Sequence, residues 1–211
     1  MFLSSLTLNS RCREARHDLS DVYEMHQTLS HSFPDKADGG MGDVLWRLDV
    51  DRRSGAATVL VQSSLPPRWE AISARWPDYF AIRDLGPNAL RSRELPQLQF
   101  ANRQVLSFRL RANPTVKREG KRHGLLTEEE QSNWLIRKGG DHGFRVLNVR
   151  VVAESARESS QKGRSMKFAS ALFDGQSCVT DSERFTTAWR AGIGSAKGFG
   201  FGLLSVARAS S

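Results

Sequence analysis

Two periods of apolar residues take turns along the chain, and their order repeats. In "FLSSLTL" (2–8), Phe2, Leu6 and Leu8 share a face at period two, which predicts a strand. In "DVYEMHQTLSHSF" (21–33), Val22, Met25, Leu29 and Phe33 gather on one side at about 100° per residue, which predicts an amphipathic helix. Asp21 and Glu24 have the spacing of a capping box, and Gly39-Gly40 marks the exit. "VLWRLDV" (44–50) and "ATVLVQS" (57–63) predict paired strands around the turn-prone "DRRSG". A short helix follows at 66–76, with proline at its start, and a brief strand at 79–82. The order is β-α-β-β-α-β.

Residues 84–103 hold two prolines and no sustained period, so they predict a linker. The order then begins again. "QVLSFRLRA" (104–112) alternates, with Leu106, Phe108 and Leu110 inward and Ser107, Arg109 and Arg111 outward. Thr127 and Glu130 predict a capped helix that runs to Gly139-Gly140. Strands are predicted at 144–153 and 166–173, a helix at 182–190 after Asp181, and a last strand at 201–207. The expectation is an α+β protein of two tandem ferredoxin-like (RRM-like) βαββαβ domains, residues 1–83 and 104–211, joined by 84–103. The halves share topology rather than residues.

Charge separates the halves. Residues 1–100 carry 12 Lys/Arg against 13 Asp/Glu, and residues 101–211 carry 19 against 10, so the net +8 resides in the second half. A basic half beside a balanced one points to a polyanionic partner, most simply nucleic acid; solubility alone is the other reading. Cys12 and Cys178 make neither a disulfide framework nor a zinc spacing. No stretch approaches the roughly 18 apolar residues of a membrane span, and "MFLSSLTLN" lacks the basic, apolar pattern of a signal peptide. A cytoplasmic location without membrane association is expected.

Three segments carry candidate chemistry. On the helix at 21–33, Tyr23, His26, Gln27 and Ser30 form a second stripe about a quarter turn from the apolar one. This is either an ordinary helix flank or a reactive wall at the edge of a core. "GIGSAKGFGFGLLS" (192–205) departs from GxxxxGK[ST], since Phe199 follows Lys197-Gly198, and it does not open a helix after a strand. Its glycines instead allow close approach of backbone amides to phosphate, with Gly194, Lys197, Gly198 and Gly200 as contacts. Lys117, Arg118, Lys121 and Arg122 lie on one loop, and Arg157, Lys162, Arg164 and Lys167 on a predicted hairpin; both are candidate phosphate clamps or plain solvated loops.

"ARHDLSDVYEMHQTLS", "FRLRANPTVKREGKR" and "GIGSAKGFGFGLLS" occur in this order, and together they resemble the CRISPR repeat-processing endoribonucleases of the CasE family, which mature guide RNA in type I-E systems. The resemblance spans almost the whole chain. It implies binding of a repeat RNA hairpin, cleavage at its 3′ base, and retention of the guide RNA beside the other subunits of the surveillance complex, Cascade. It places the catalytic pair on Tyr23 and His26. Related sequences often have a basic residue where this one has Gln27, and Arg16 or Lys197 are the cations that could replace it. Arg16, Gln27 and Ser30 join the predicted RNA contacts.

RNA carries its own nucleophile in the 2′-hydroxyl, and the sequence shows no tight carboxylate cluster of the kind a two-metal nuclease uses. The expectation is therefore cleavage without metal or other cofactor, leaving a 2′,3′-cyclic phosphate. His26 would move a proton, as acid or base, and Tyr23 would orient the phosphate or the 2′-hydroxyl. His17, His31, His123 and His142 show no shared ligand spacing. A monomer is expected in isolation. The rival reading is a non-catalytic RNA-binding subunit of the same fold; a small-molecule enzyme would explain neither the charge asymmetry nor the loops.

Overall fold

The structure, a computed structural model, describes residues 1–154, 157–161 and 164–209. The chain divides into two compact units. The first is built on Met1–Gln97 and takes in Ser159–Ser165 and Gly198–Gly200; the second is built on Leu98–Glu158, Met166–Lys197 and the chain from Phe201 onward.

In the first unit, β1 (Phe2–Thr7) leads into two consecutive helices, α1 (Arg13–Ser20) and α2 (Val22–Ser30). There follow β2 (Val44–Val50), β3 (Ala57–Ser63), α3 (Glu70–Arg75), the helical turn α4 (Ile82–Leu85) and β4 (Leu90–Glu94). The sheet order is β2-β3-β1-β4, with every pair antiparallel. Leu6 of β1 is flanked by Val59 and Leu90 in register, and Leu6, Val59, Met25, Leu29, Ile72 and Trp69 are buried. Ser4 shares the inward face because it accepts a hydrogen bond from the Trp69 indole at 3.0 Å, which satisfies both buried groups.

The second unit contains β5 (Val105–Ala112), β6 (Thr115–Arg118), β7 (Lys121–Gly124), α5 (Glu128–Asp141) and β8 (Phe144–Ala153). After them come β9 (Arg157–Gln161) and β10 (Arg164–Phe168), whose inner ends group with the first unit, and then β11 (Ala171–Val179), α6 (Ser182–Ala191) and β12 (Leu204–Arg208). The main sheet runs β12-β5-β11-β8 and is antiparallel. Removing the two-stranded insertions β6-β7 and β9-β10 leaves β-α-β-β-α-β, and its strand order matches that of the first unit. Both units are thus ferredoxin-like. Leu110, Leu135, Phe173, Phe185 and Phe201 are fully buried in the second core. Thr127 and Glu130 form the expected capping box at the start of α5.

Several elements differ from the sequence expectation. The helix at 21–33 is preceded by α1, which buries only Ala15 and Asp18 and so shows no apolar stripe. Asp21 separates the two helices in extended conformation and caps α2 by accepting the Tyr23 N–H at 2.8 Å. α2 ends at Ser30, and Gly39-Gly40 instead follows a 3₁₀ turn at Lys36–Asp38. Residues 79–82 contribute only an isolated bridge, Phe80 to Leu8, and the fourth strand is β4, inside the segment expected to link the domains. β4 pairs along the sheet edge with Arg91, Ser92, Arg93 and Glu94 exposed, so backbone pairing rather than an apolar face forms it.

The strand expected at 166–173 is split between β10 and β11, with Ala169 and Ser170 at the break, where the Ser170 hydroxyl donates to Glu154. Arg111, expected to point outward, is buried. Its guanidinium holds Glu154 with two bonds, Nε to Oε2 at 2.9 Å and Nη2 to Oε1 at 2.8 Å. Among the described residues, no helix is long and apolar enough to cross a membrane.

Candidate functional site

The apolar stripe of α2 packs inward through Val22, Met25 and Leu29, and this fixes the neighbouring stripe at the edge of the core. Beneath the helix, the Tyr79 hydroxyl donates to the buried Asp18 carboxylate at 2.6 Å and lies 3.8 Å from Met25 Sδ. Burial raises the Asp18 carboxyl above its ordinary value, and burial beside that carboxylate raises the Tyr79 phenol. The base of the helix is thereby tied to the second half of the unit.

Tyr23 and Gln27 are bonded to each other, one turn apart: Gln27 Nε2 donates to the Tyr23 oxygen at 2.6 Å. Because that amide can only donate, the phenolic proton of Tyr23 remains available for another acceptor. Ser30 turns back on its own helix and donates to the Gln27 carbonyl at 2.6 Å. His26 is half-buried; burial holds its imidazole below the usual histidine pKa, which favours the neutral ring. Its Nδ1 is buried without a hydrogen-bond partner.

The glycine segment supplies the other wall of this site. A methyl group on Gly198 would stand 3.7 Å from His26 Cε1 and 3.9 Å from both ring nitrogens, so the residue lies over the imidazole face. Its carbonyl accepts a hydrogen bond from Trp46 Nε1 at 3.2 Å. Gly200 has φ +83°, and a Cβ there would come within 2.7 Å of the Trp46 ring. Backbone conformation and close approach both require glycine at that position.

Arg16 is exposed, and its Nη1 donates to the carbonyls of Ser10 at 3.3 Å and Arg11 at 3.0 Å, which braces the loop before α1. Lys197 lies in the second unit, in a cleft lined also by Lys117, Arg122, Gly194, Lys138 and His142. Four residues expected to bind RNA, Lys117, Arg122, Gly194 and Lys197, thus line one cleft. The loop expected at 117–122 is the tip of the β6-β7 hairpin, where Lys117 opposes Arg122 and Arg118 opposes Lys121. Arg118 and Lys121 are exposed and do not line the cleft. Arg157 and Arg164 lie on β9 and β10, and Lys167 is exposed on β10. Lys162 lies outside the described residues. Among the described residues, no three His, Cys, Asp or Glu side chains gather as metal ligands would.

Trp46, Lys138 and His142 carry parts of these sites that sequence reading missed. The indole of Trp46 was hidden as an ordinary core position of β2, although a buried indole N–H requires a partner. Lys138 and His142 stand four apart at the end of α5, and that helical spacing was the available signal. Burial first, then the nearby Lys138 charge, holds the His142 imidazole below its ordinary value.

Comparison with known proteins gives one consistent result. The family described as "CRISPR associated protein" matches residues 1–208. The CRISPR-associated endoribonuclease Cse3 of Thermus thermophilus is 35% identical, covering 98% of this chain and 100% of its own. The Cascade subunit CasE of Escherichia coli is 30% identical, covering 98% and 99% respectively. Thermus thermophilus Cse3 bound to an RNA representing a pre-cleavage complex superposes with TM-score 0.83 at 33% identity, covering 98% of each chain.

Proposed function

This chain belongs to the family of CRISPR-associated proteins that includes the endoribonucleases Cse3 and CasE, and on that premise we propose how it cuts RNA. It binds the hairpin of a CRISPR repeat transcript, cleaves at the 3′ base of the stem, and stays on the resulting guide RNA within Cascade. The single observation that carries the chemistry is the pairing on α2 of a partly buried, neutral-favouring His26 with a Tyr23 whose proton is free to be donated.

The reaction needs one proton removed and one supplied. His26 takes the proton of the 2′-hydroxyl, whose oxygen attacks the adjacent phosphorus while the bond to the 5′-oxygen breaks. Tyr23 donates a hydrogen bond to the phosphate, while the departing 5′-oxygen takes a proton from water and leaves as a 5′-hydroxyl, and His26 releases the proton it took to solvent. The upstream fragment ends in a 2′,3′-cyclic phosphate. An imidazole with a depressed pKa suits the base role, since it is unprotonated at neutral pH. Gln27, in place of a cation, polarises Tyr23 rather than neutralising the phosphate. No metal enters this sequence of steps. The non-catalytic alternative is not favoured, because the Thermus relative is an endoribonuclease.

The test is incubation with the repeat hairpin of its own CRISPR array in excess chelator, followed by identification of the ends. Cleavage with a cyclic phosphate upstream and a 5′-hydroxyl downstream is expected. Cleavage that requires added divalent metal, or that leaves a 5′-phosphate, overturns the mechanism.

A further inference from the structure

The cleft of the second unit holds a combination that general attraction for phosphate does not explain. Lys117 and Arg122 stand directly opposite each other on β6 and β7 and both line the cleft, together with Lys197. Like charges in a cross-strand pair destabilise a hairpin unless an anion lies between or beside them. Lys138 lines the same cleft but is shared with Asp141 at 2.9 Å. Among these cations lies Asn113, which is 7% exposed. Its Nδ2 reaches Ser195 Oγ at 3.5 Å, while its Oδ1 is buried without a hydrogen-bond partner.

A bare phosphate satisfies the cations but not Asn113, because a phosphodiester has no hydrogen to donate to a carbonyl oxygen. A donor that arrives attached to the anion would meet this oxygen as well. A ribose 2′-hydroxyl meets both conditions, since it stands one bond from the sugar that carries the phosphate. We propose that this cleft is a ribonucleotide subsite, in which Lys117, Arg122 and Lys197 take one phosphate and Asn113 Oδ1 accepts the hydrogen bond of the neighbouring 2′-hydroxyl. The subsite selects RNA over DNA at one position of the bound strand, apart from the 2′-hydroxyl that reacts. His142 stays largely uncharged in the same cleft, since burial and Lys138 both disfavour its cationic form.

This inference rests on the RNA-cleaving reading, and one experiment separates the two. The His26→Ala protein is bound to a set of repeat hairpins, each with a single 2′-deoxy nucleotide, and affinities are compared with the same set on His26→Ala combined with Asn113→Ala or Ser195→Ala. One position, away from the cut, should bind about 3- to 10-fold more weakly when deoxy, the worth of one hydrogen bond. That sensitivity should vanish in the Asn113→Ala protein and persist in the Ser195→Ala protein, which keeps Oδ1. A merely structural role for Asn113 would lower affinity for every hairpin alike. If no deoxy effect depends on Asn113, the subsite is refuted; if the His26→Ala protein still cuts the all-ribose hairpin, the catalytic reading fails instead.

Discussion

Trp46 Nε1 donates to the carbonyl oxygen of Gly198 at 3.2 Å, joining residues 152 positions apart in the chain. The bond holds the glycine segment across the face of His26, so a strand residue with no reacting group sets the roof of the proposed catalytic site. Trp46→Phe keeps most of the packing and removes the bond, and it should cost about 1 kcal/mol of stability. Gly200→Ala should cost more, because it combines an unfavourable backbone conformation with a clash against the indole. Gly198→Ala should leave the melting temperature nearly unchanged yet slow cleavage, since its methyl would meet the imidazole at ordinary contact distance. Thermal melts and single-turnover rates on the three variants check the order.

His26→Ala should lower the cleavage rate by about 10²–10⁴ while changing hairpin affinity little. The depressed pKa adds a pH signature. The unfolded chain binds a proton near the ordinary histidine pKa of about 6.5, before the folded chain does. Stability associated with His26 is therefore complete above that value and is lost as pH falls through the lowered folded value. Melting curves of wild type and His26→Gln between about pH 7 and pH 5 should converge on acidification, with the wild type losing more. Equal slopes would show that the ring is not desolvated.

The basic cleft makes a salt prediction. Lys117→Ala and Arg122→Ala should each weaken hairpin binding, and replacing both should lower the slope of log affinity against log salt by roughly 0.7–0.9, the worth of the one phosphate they share. Arg52→Ala and Arg53→Ala, in the hairpin turn of the nearly neutral first half, should leave the slope unchanged. Binding isotherms at a series of salt concentrations decide it.

The Arg111–Glu154 pair predicts a stability effect remote from α2. Glu154→Ala removes the carboxylate that the buried Arg111 guanidinium holds through Nε and Nη2, and it should destabilise the second unit by about 3–5 kcal/mol. Denaturant unfolding measures this.

The sequence made the apolar elements legible and concealed those built from polar residues. The stripe Val22-Met25-Leu29 and the alternation Leu106-Phe108-Leu110 announced α2 and β5 because their side chains fill the cores. α1 stayed hidden because its buried carboxylate, Asp18, is satisfied by Tyr79, a partner 61 positions away. β4 stayed hidden because an edge strand needs only backbone pairing to β1. In the candidate site, Tyr23 and His26 are proposed from helical spacing and family resemblance. The Tyr23–Gln27 bond needed coordinates, as did the splitting of the glycine segment between His26 and the basic cleft. The bonds of Arg16 and Ser30, both expected to contact RNA, to nearby backbone carbonyls also needed coordinates.

The central claim is that the RNA's own 2′-hydroxyl, deprotonated by His26, is the nucleophile. The most direct measurement uses a repeat hairpin with one 2′-deoxy nucleotide immediately upstream of the cut, assayed for binding and cleavage side by side. Affinity should stay within a few-fold of the all-ribose hairpin, because most contacts to a hairpin are to backbone and shape, and cleavage should cease. Continued cutting of the deoxy hairpin at that bond would contradict the account.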